Sequence, residues 1–315
     1  MNKTSKILFT GSYGMVGSAL AKNLFEAGFT NLLSPRRMEL DLQNYSSVDA
    51  YFSKNKPEYV FMVAARVGGI AANIADPVGF LQENLELELN LFKACFKYKT
   101  KKNLFLGSSC IYPNNSPQPI KEEYLMTGPL EPTNEGYALS KIVGLSLAKY
   151  YHVQYKMNTI CPMPCNIYGT NDHFELDKSH VLSALIRRFV NAKDNNLEEV
   201  TLWGTGIARR EFIHVEDVAK SLIHLMNSDY DLPDIINIGY GSDVSIQELA
   251  ELIKIKVGFD GVISWDSTKP NGMLQKCMDV SKMRDLGYSP LITLEQGIER
   301  TIQEYMELKK EGKIQ

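Results

Sequence analysis

Apolar residues follow two alternating patterns along the first half of this chain. Short apolar runs at Ile7–Thr10, Tyr59–Ala64 and Asn103–Gly107 are each followed by a longer stretch with apolar positions every three or four residues. Those stretches cover Met15–Ala27, a region near Leu81–Lys99, and Tyr137–Lys156. The first pattern suits buried strands and the second amphipathic helices, so the alternation predicts a parallel sheet with helices on both faces. After Asn158–Pro162 the rhythm loosens, punctuated by Pro162, Pro164 and Gly169. It becomes regular again over Glu211–Gly239, where a helix is expected after His214 and a strand at Ile235–Ile238. A last amphipathic helix is expected near Leu294–Leu308.

Composition narrows the partners. The chain has 315 residues, 44% of them hydrophobic and 23% charged, which is enough apolar material for a sizeable core. Its net charge of −3 gives no global positive field, so neither nucleic acid nor an acidic membrane is an expected partner, and an anionic substrate would need a local basic pocket. The run Ile7–Phe9 is far too short for a signal-peptide core or a membrane span, and a cytoplasmic location is expected. Five cysteines without a C-x-x-C read as reduced thiols, and the five histidines lack zinc-ligand spacing, so no metal is expected.

The first strand runs into Gly11-Ser12-Tyr13-Gly14-Met15-Val16-Gly17, a G-x-x-G-x-x-G turn that opens a helix. The first glycines let the backbone approach a pyrophosphate, the last lets helix and strand pack closely, and the helix N-terminus offers amides and a positive dipole end. The fold class predicted is therefore α/β, a Rossmann-like doubly wound parallel sheet with a smaller, interleaved C-terminal substrate domain. Residues 1–166 plus 211–241 form the expected dinucleotide-binding domain, and 167–210 plus 242–315 the substrate domain. The second strand, near Leu32–Leu33, leads to Arg36 and Arg37, which would suit a ribose 2′-phosphate and favour NADP(H). A merely solvated basic turn would leave NAD(H) as the alternative. Asp41 either meets an adenine amine or sits on the surface. Leu42, Ala64, Ala65, Pro164 and Asn166 complete the expected cofactor contacts.

Tyr137 and Lys141, four residues apart, share one face of a helix. An ordinary phenol, with a pKa of about 10, needs a nearby cation to act near neutrality, and Lys141 is spaced to supply it and to reach the nicotinamide ribose. Ser108 and Ser109 follow the strand ending near Leu106, at the carboxyl edge where such sheets bind ligands. Either hydroxyl could hold a substrate carbonyl oxygen.

Glycine turn, strand-end serine and Y-x-x-x-K in this order resemble the extended short-chain dehydrogenase/reductase superfamily, whose pattern favours Ser109, with Ser108 as partner. Longer strings resemble one branch, the GDP-L-fucose synthase family. They are Gly14–Ala19, Ala64–Ile70, Leu106–Pro113, Leu130–Glu135 and Arg210–Val215. The resemblance runs almost end to end. It implies reduction of the C4 ketone of a GDP-linked 4-keto sugar, with Tyr137 protonating the oxygen, after epimerisation at C3 and C5 by an acid and base that map onto Cys110 and His180. It also implies that Arg187 and Arg210 hold the diphosphate, with Arg188 and Arg209 as neighbours that could exchange places with them. Trp203 would cover the guanine or sugar, Asn166 and His180 would touch the substrate, and Lys276 and Asp279 would belong to a late substrate loop. A homodimer joined through helices near Leu85–Lys99 and Tyr137–Lys156 is a further implication.

The chain departs from the family pattern at several places. Tyr13 stands where a basic residue is common, Cys165 precedes Asn166 where threonine is usual, Gly136 replaces a proline, and Met273-Leu274 make the late loop more apolar. Changes near the sugar end keep a second reading open, a C4 reductase acting on a different GDP-4-keto sugar, such as a heptose, already epimerised elsewhere. A dinucleotide-sensing regulatory protein on the same fold is the non-enzymatic alternative, and the retained Tyr137–Lys141 pair counts against it.

Overall fold

The computed structural model describes residues 1–175, 179–229, 234–269 and 271–314. Its centre is a six-stranded, all-parallel sheet in the order Ile235–Ile238, Thr159–Pro164, Lys102–Phe105, Tyr59–Met62, Ile7–Phe9, Leu32–Leu33. Nearly every residue of the inner strands is buried, which explains why they read as continuous apolar runs. Strand Ile7–Phe9 is flanked by the second strand on one side and the third on the other, pairing Leu8 with Val60 and Phe9 with Phe61. The chain therefore reverses its direction of travel at this point, and the crevice beyond these carboxyl ends is where open α/β sheets bind ligands.

Two long helices, Pro77–Lys97 and Glu135–Tyr155, pack side by side against the sheet. The first begins four residues before the apolar periodicity indicated. Asp76 accepts the N–H of Gly79 at 3.0 Å and Pro77 occupies the first helical position, so capping chemistry rather than hydrophobic spacing sets the start. Helix Val215–Asn227 is capped by the His214 ring, whose Nδ1 accepts the N–H of Glu216 at 3.3 Å. Among the described residues no helix is long and apolar enough to cross a membrane.

Apolar side chains gather into two cores. One lies about the central sheet and its helices and includes Met278, Val280 and Met283 from late in the chain. The other joins helices Val181–Asp194, Ile246–Val257 and Leu294–Lys310 around Phe189, Leu249 and Ile298. Strand Arg209–Arg210, flanked by Val244–Ser245 and Gln275–Lys276, and the parallel pair Asn166–Tyr168 with Phe212–His214 lie where the chain passes between the cores.

Candidate active site

A cavity of about 530 Å³ opens at the reversal point of the sheet. Gly11 turns there with φ +71°, and a Cβ on it would stand 2.9 Å from the Cα of Ala64. Gly17 is tighter still, since its Cβ would lie 2.0 Å from the carbonyl oxygen of Gly11. The two strand ends are tied by Thr10, whose Oγ1 accepts N–H bonds from Val63 and Ala64, each at 3.1 Å. Helix Met15–Glu26 starts without any side-chain cap, leaving its first amides unsatisfied by a side chain, and the buried Ser12 hydroxyl has no partner among the described residues. Uncapped amides, an orphaned hydroxyl and a floor that a Cβ would fill suit a dinucleotide pyrophosphate.

Of the expected cofactor contacts, Gly11, Ser12, Tyr13, Gly14, Arg37, Asp41, Leu42, Ala64 and Ala65 line this cavity. Met15, Val16 and Gly17 form the helix start behind it, with Val16 and Gly17 buried. Arg36 is outside the lining. Its Nε donates to the Tyr13 hydroxyl at 3.0 Å and its guanidinium lies 5.4 Å from the centre of that ring. Tyr13 and Arg36 thus form a stacked pair at the rim, while Arg37 donates to Gln43 at 2.8 Å. Gln43, Arg66, Glu83 and Leu87 also line the cavity and were missed by sequence reasoning. The Arg66 charge is already balanced by Asp76 and Glu83, each at 2.8 Å.

The serine pair sits where strand Lys102–Phe105 gives way to a short turn, Ser109–Ile111. The Ser108 hydroxyl accepts the N–H of Cys110 at 3.3 Å and faces the Tyr137 phenol. Ser109, only 3% exposed, has no side-chain hydrogen bond among the described residues. Burial pushes the Tyr137 phenol up, as do the neighbouring Cys110 and Glu88, against the hydrogen bond from Ser108. The cation expected near the phenol is shared with a buried carboxylate. Lys141 Nζ binds Glu88 Oε1 at 3.1 Å in the interior and stands 5.9 Å from the Tyr137 ring centre and 4.8 Å from that of Phe105. Glu88 is itself pushed up by burial, opposed by Lys141. Sequence reasoning missed Glu88, although it falls with Asn84, Leu87 and Leu91 on the buried face of its helix. A carboxylate on such a face was the available signal.

Cys110 is the one cysteine of the five that is not buried. Its Sγ receives the Asn134 side-chain amide at 3.2 Å, and Lys276 Nζ lies 3.9 Å away. Tyr137, Cys110, Asn134 and Lys276 therefore converge beside the strand end. His180 is exposed, immediately before helix Val181–Asp194, and acts electrostatically on Asp172; among the described residues no hydrogen bond joins it to Cys110.

The arginines differ in their partners. Arg209 is engaged by Asp243 at 2.7 Å and Glu248 at 3.4 Å. Arg210 makes no carboxylate bridge among the described residues and is paired in register with Lys276 on the neighbouring strand, giving two cations side by side. Arg187 donates to the Phe174 carbonyl at 3.1 Å and keeps a buried, unpartnered Nε, whereas Arg188 donates to the Thr201 carbonyl at 3.2 Å. Trp203 ends strand Glu199–Trp203 and is 61% exposed, with Lys269 Nζ 5.6 Å from its ring centre, so it is not a core residue. Pro164 closes strand Thr159–Pro164, and Asn166 donates to the Glu211 carbonyl at 2.8 Å. Asp279 accepts the N–H of Ser281 at 2.9 Å. Glu211, fully buried, accepts N–H bonds from Gly241 at 2.6 Å and Met278 at 2.7 Å, tying the Lys276 segment to the sheet.

The sequence profile of the "NAD dependent epimerase/dehydratase family" matches residues 7–239. GDP-L-fucose synthase 1 of Arabidopsis thaliana is 47% identical over 305 residues, covering 97% of this chain and 94% of that protein. Among solved structures, a GDP-6-OMe-4-keto-L-xylo-heptose reductase from C. jejuni superposes with a TM-score of 0.91 at 36% identity, covering 99% of each chain. MlghC, a GDP-mannoheptose C4 reductase from Campylobacter jejuni with NADP bound, has a TM-score of 0.89 at 37% identity, covering 97% of this chain and 99% of that one. A profile that spans both the glycine turn and the Tyr137 helix, with relatives identical at almost half their positions along nearly their whole length, places the chain in the NAD dependent epimerase/dehydratase family, in its GDP-L-fucose synthase branch.

Proposed function

We propose that this chain reduces the C4 ketone of a GDP-linked 4-keto sugar with NADPH, after inverting C3 and C5 at the same site. The observation that carries the reading is the meeting of the Tyr137 phenol and the Cys110 thiol at one strand end, with Asn134 and Lys276 directed at the sulfur. When bound, the reduced cofactor supplies the hydride to C4. Tyr137 gives its proton to the C4 oxygen, with Lys141, 5.9 Å from its ring centre, as the cation that steadies the phenolate left behind, and Ser108 and Ser109 orient that oxygen. A C4 ketone acidifies the protons on C3 and C5, so Cys110 removes one, and His180, at the start of its helix, is the partner acid. Arg187, Arg210 and Lys276 hold the diphosphate. Trp203 covers the guanine or sugar, and Asn166 lies beneath it. Arg37, in the cradle lining, and Arg36 at its rim meet the ribose phosphate, which favours NADPH over NADH, as does the NADP in the solved relative; Tyr13 removes one further basic contact there.

We further assign residues 1–166 plus 211–241 to the cofactor domain and 167–210 plus 242–315 to the substrate domain, with the Met278–Met283 segment returning to the first core. The pair is read as half of a dimer joined through helices Pro77–Lys97 and Glu135–Tyr155.

The second reading, a C4 reductase that receives an epimerised sugar, draws support from the two heptose reductases. Incubation with GDP-4-keto-6-deoxymannose and NADPH in deuterated water separates the two. Deuterium at C3 and C5 with cofactor oxidation supports the bifunctional enzyme; oxidation without deuterium leaves the reductase alone.

A further inference from the structure

Asn134 precedes helix Glu135–Tyr155 at its N-cap, a position where asparagine ordinarily accepts an N–H bond from the first turn. Here it does not. Its side chain makes no cap hydrogen bond; the amide Nδ2 donates instead to Cys110 Sγ at 3.2 Å, and the buried Oδ1 has no partner among the described residues. A residue at a capping position that forgoes the cap and leaves an acceptor unsatisfied costs the fold something, and the contact it makes in exchange is to a chemically active atom. Two features make that contact directional. Cys110 lies in the turn Ser109–Ile111, where the Ser108 hydroxyl already accepts its N–H, so its backbone is fixed. The sulfur then has Asn134 on one approach and Lys276 Nζ, 3.9 Å away, on another.

We propose that Asn134 is a positioning residue for Cys110, its amide holding the sulfur toward the sugar during proton transfer at C3 and C5 while Tyr137, three residues on, serves the C4 oxygen. The inference rests on the reading of Cys110 as the acid/base of epimerisation. An N–H donor favours a negatively charged sulfur over a neutral thiol, because hydrogen bonds to charged acceptors are the stronger ones. Asn134 therefore acts on the exchange step and not on reduction.

The test uses Asn134→Asp and Asn134→Ala in the full-length protein. Aspartate is as good an N-cap as asparagine, so the first variant keeps the fold while replacing the donor by an acceptor that repels a charged sulfur. Two readouts are followed, namely deuterium incorporation at C3 and C5 of GDP-4-keto-6-deoxymannose, and the rate of Cys110 alkylation by iodoacetamide at neutral pH. The second needs no substrate, and the other four cysteines are buried. The expectation is a loss of exchange of about tenfold or more, the worth of a charge-assisted hydrogen bond, with Asn134→Asp the more impaired. Alkylation slows in the same order, and NADPH oxidation with already epimerised sugar is retained. Exchange and alkylation at wild-type rates in both variants would overturn the proposal. If the wild type itself shows no exchange, the epimerase reading fails, and alkylation alone decides: slowed alkylation upholds the Asn134 contact and unchanged alkylation removes it.

Discussion

Glu88 and Lys141 are 1% and 2% exposed in their side chains, and among the described residues Glu88 Oε2 has no partner. A Cβ on Gly144 would lie 2.9 Å from that oxygen, so the carboxylate occupies space that only a glycine leaves open. Removing one member of a buried pair strands the other charge, and Glu88→Ala is expected to lower stability by about 3–5 kcal/mol, measured by urea unfolding. A loss close to zero would mean that Lys141 finds another anion. Tyr137→Phe removes the acid and not the cradle, so NADPH binding persists while kcat for cofactor oxidation falls about 10²–10⁴-fold. Glu211 carries a pH dependence. Burial pushes its carboxyl up to about 7, against the backbone N–H bonds it accepts. A folded value above the unfolded one means that its contribution is fully present below the ordinary 4.5 and is lost as pH rises through about 7. Stability falls across that window by at most about 3 kcal/mol from this group. Glu211→Gln lowers stability overall, since an amide has one oxygen for several N–H donors, but flattens the slope of Tm against pH. An unchanged slope would assign the titration to another group.

Among the elements, the strand and helix that frame the glycine turn are coupled through Gly17, whose missing Cβ lets the helix touch the Gly11 carbonyl. Gly17→Ala must push the helix N-terminus away from the strand. The expected result is a loss of cofactor affinity of about tenfold or more, together with a lower Tm, read by NADPH titration and thermal unfolding. Wild-type affinity would show that the turn absorbs the methyl group. These same elements were the most legible in the sequence, because buried parallel strands and amphipathic helices impose their periods on the chain. The start of helix Pro77–Lys97 was less so, being set by Asp76 and Pro77 rather than by apolar spacing. Strands Arg209–Arg210, Val244–Ser245 and Gln275–Lys276 have two residues each, too few to show any alternation. Their pairing brings Arg210 beside Lys276, and that contact lies in distant backbone hydrogen bonding that no local pattern encodes. Ser108, Cys110 and Tyr137 were visible as motif residues. The pairing of Lys141 with Glu88 and of Asn134 with Cys110 was not, since each depends on which side chain the tertiary packing leaves nearest.

At the scale of the whole molecule, helix Glu135–Tyr155 bears an exposed apolar stripe of Leu139, Val143, Tyr150 and Val153, at spacings that keep them on one face, and Val78 and Phe96 are exposed on its neighbour. Apolar side chains gathered on one face mark an interface, and the proposed dimer would cover them. Tyr150→Asp with Val153→Asp is expected to convert a dimer to a monomer in sedimentation equilibrium; a wild-type monomer would contradict the assignment. Isotope transfer tests the proposed reaction most directly. Purified protein is incubated with GDP-4-keto-6-deoxymannose and NADPH in deuterated water, and cofactor oxidation and deuterium at C3 and C5 are followed together. The account predicts oxidation with deuterium at both carbons. Failure to oxidise NADPH, with this sugar and with a panel of other GDP-4-keto sugars, would contradict it.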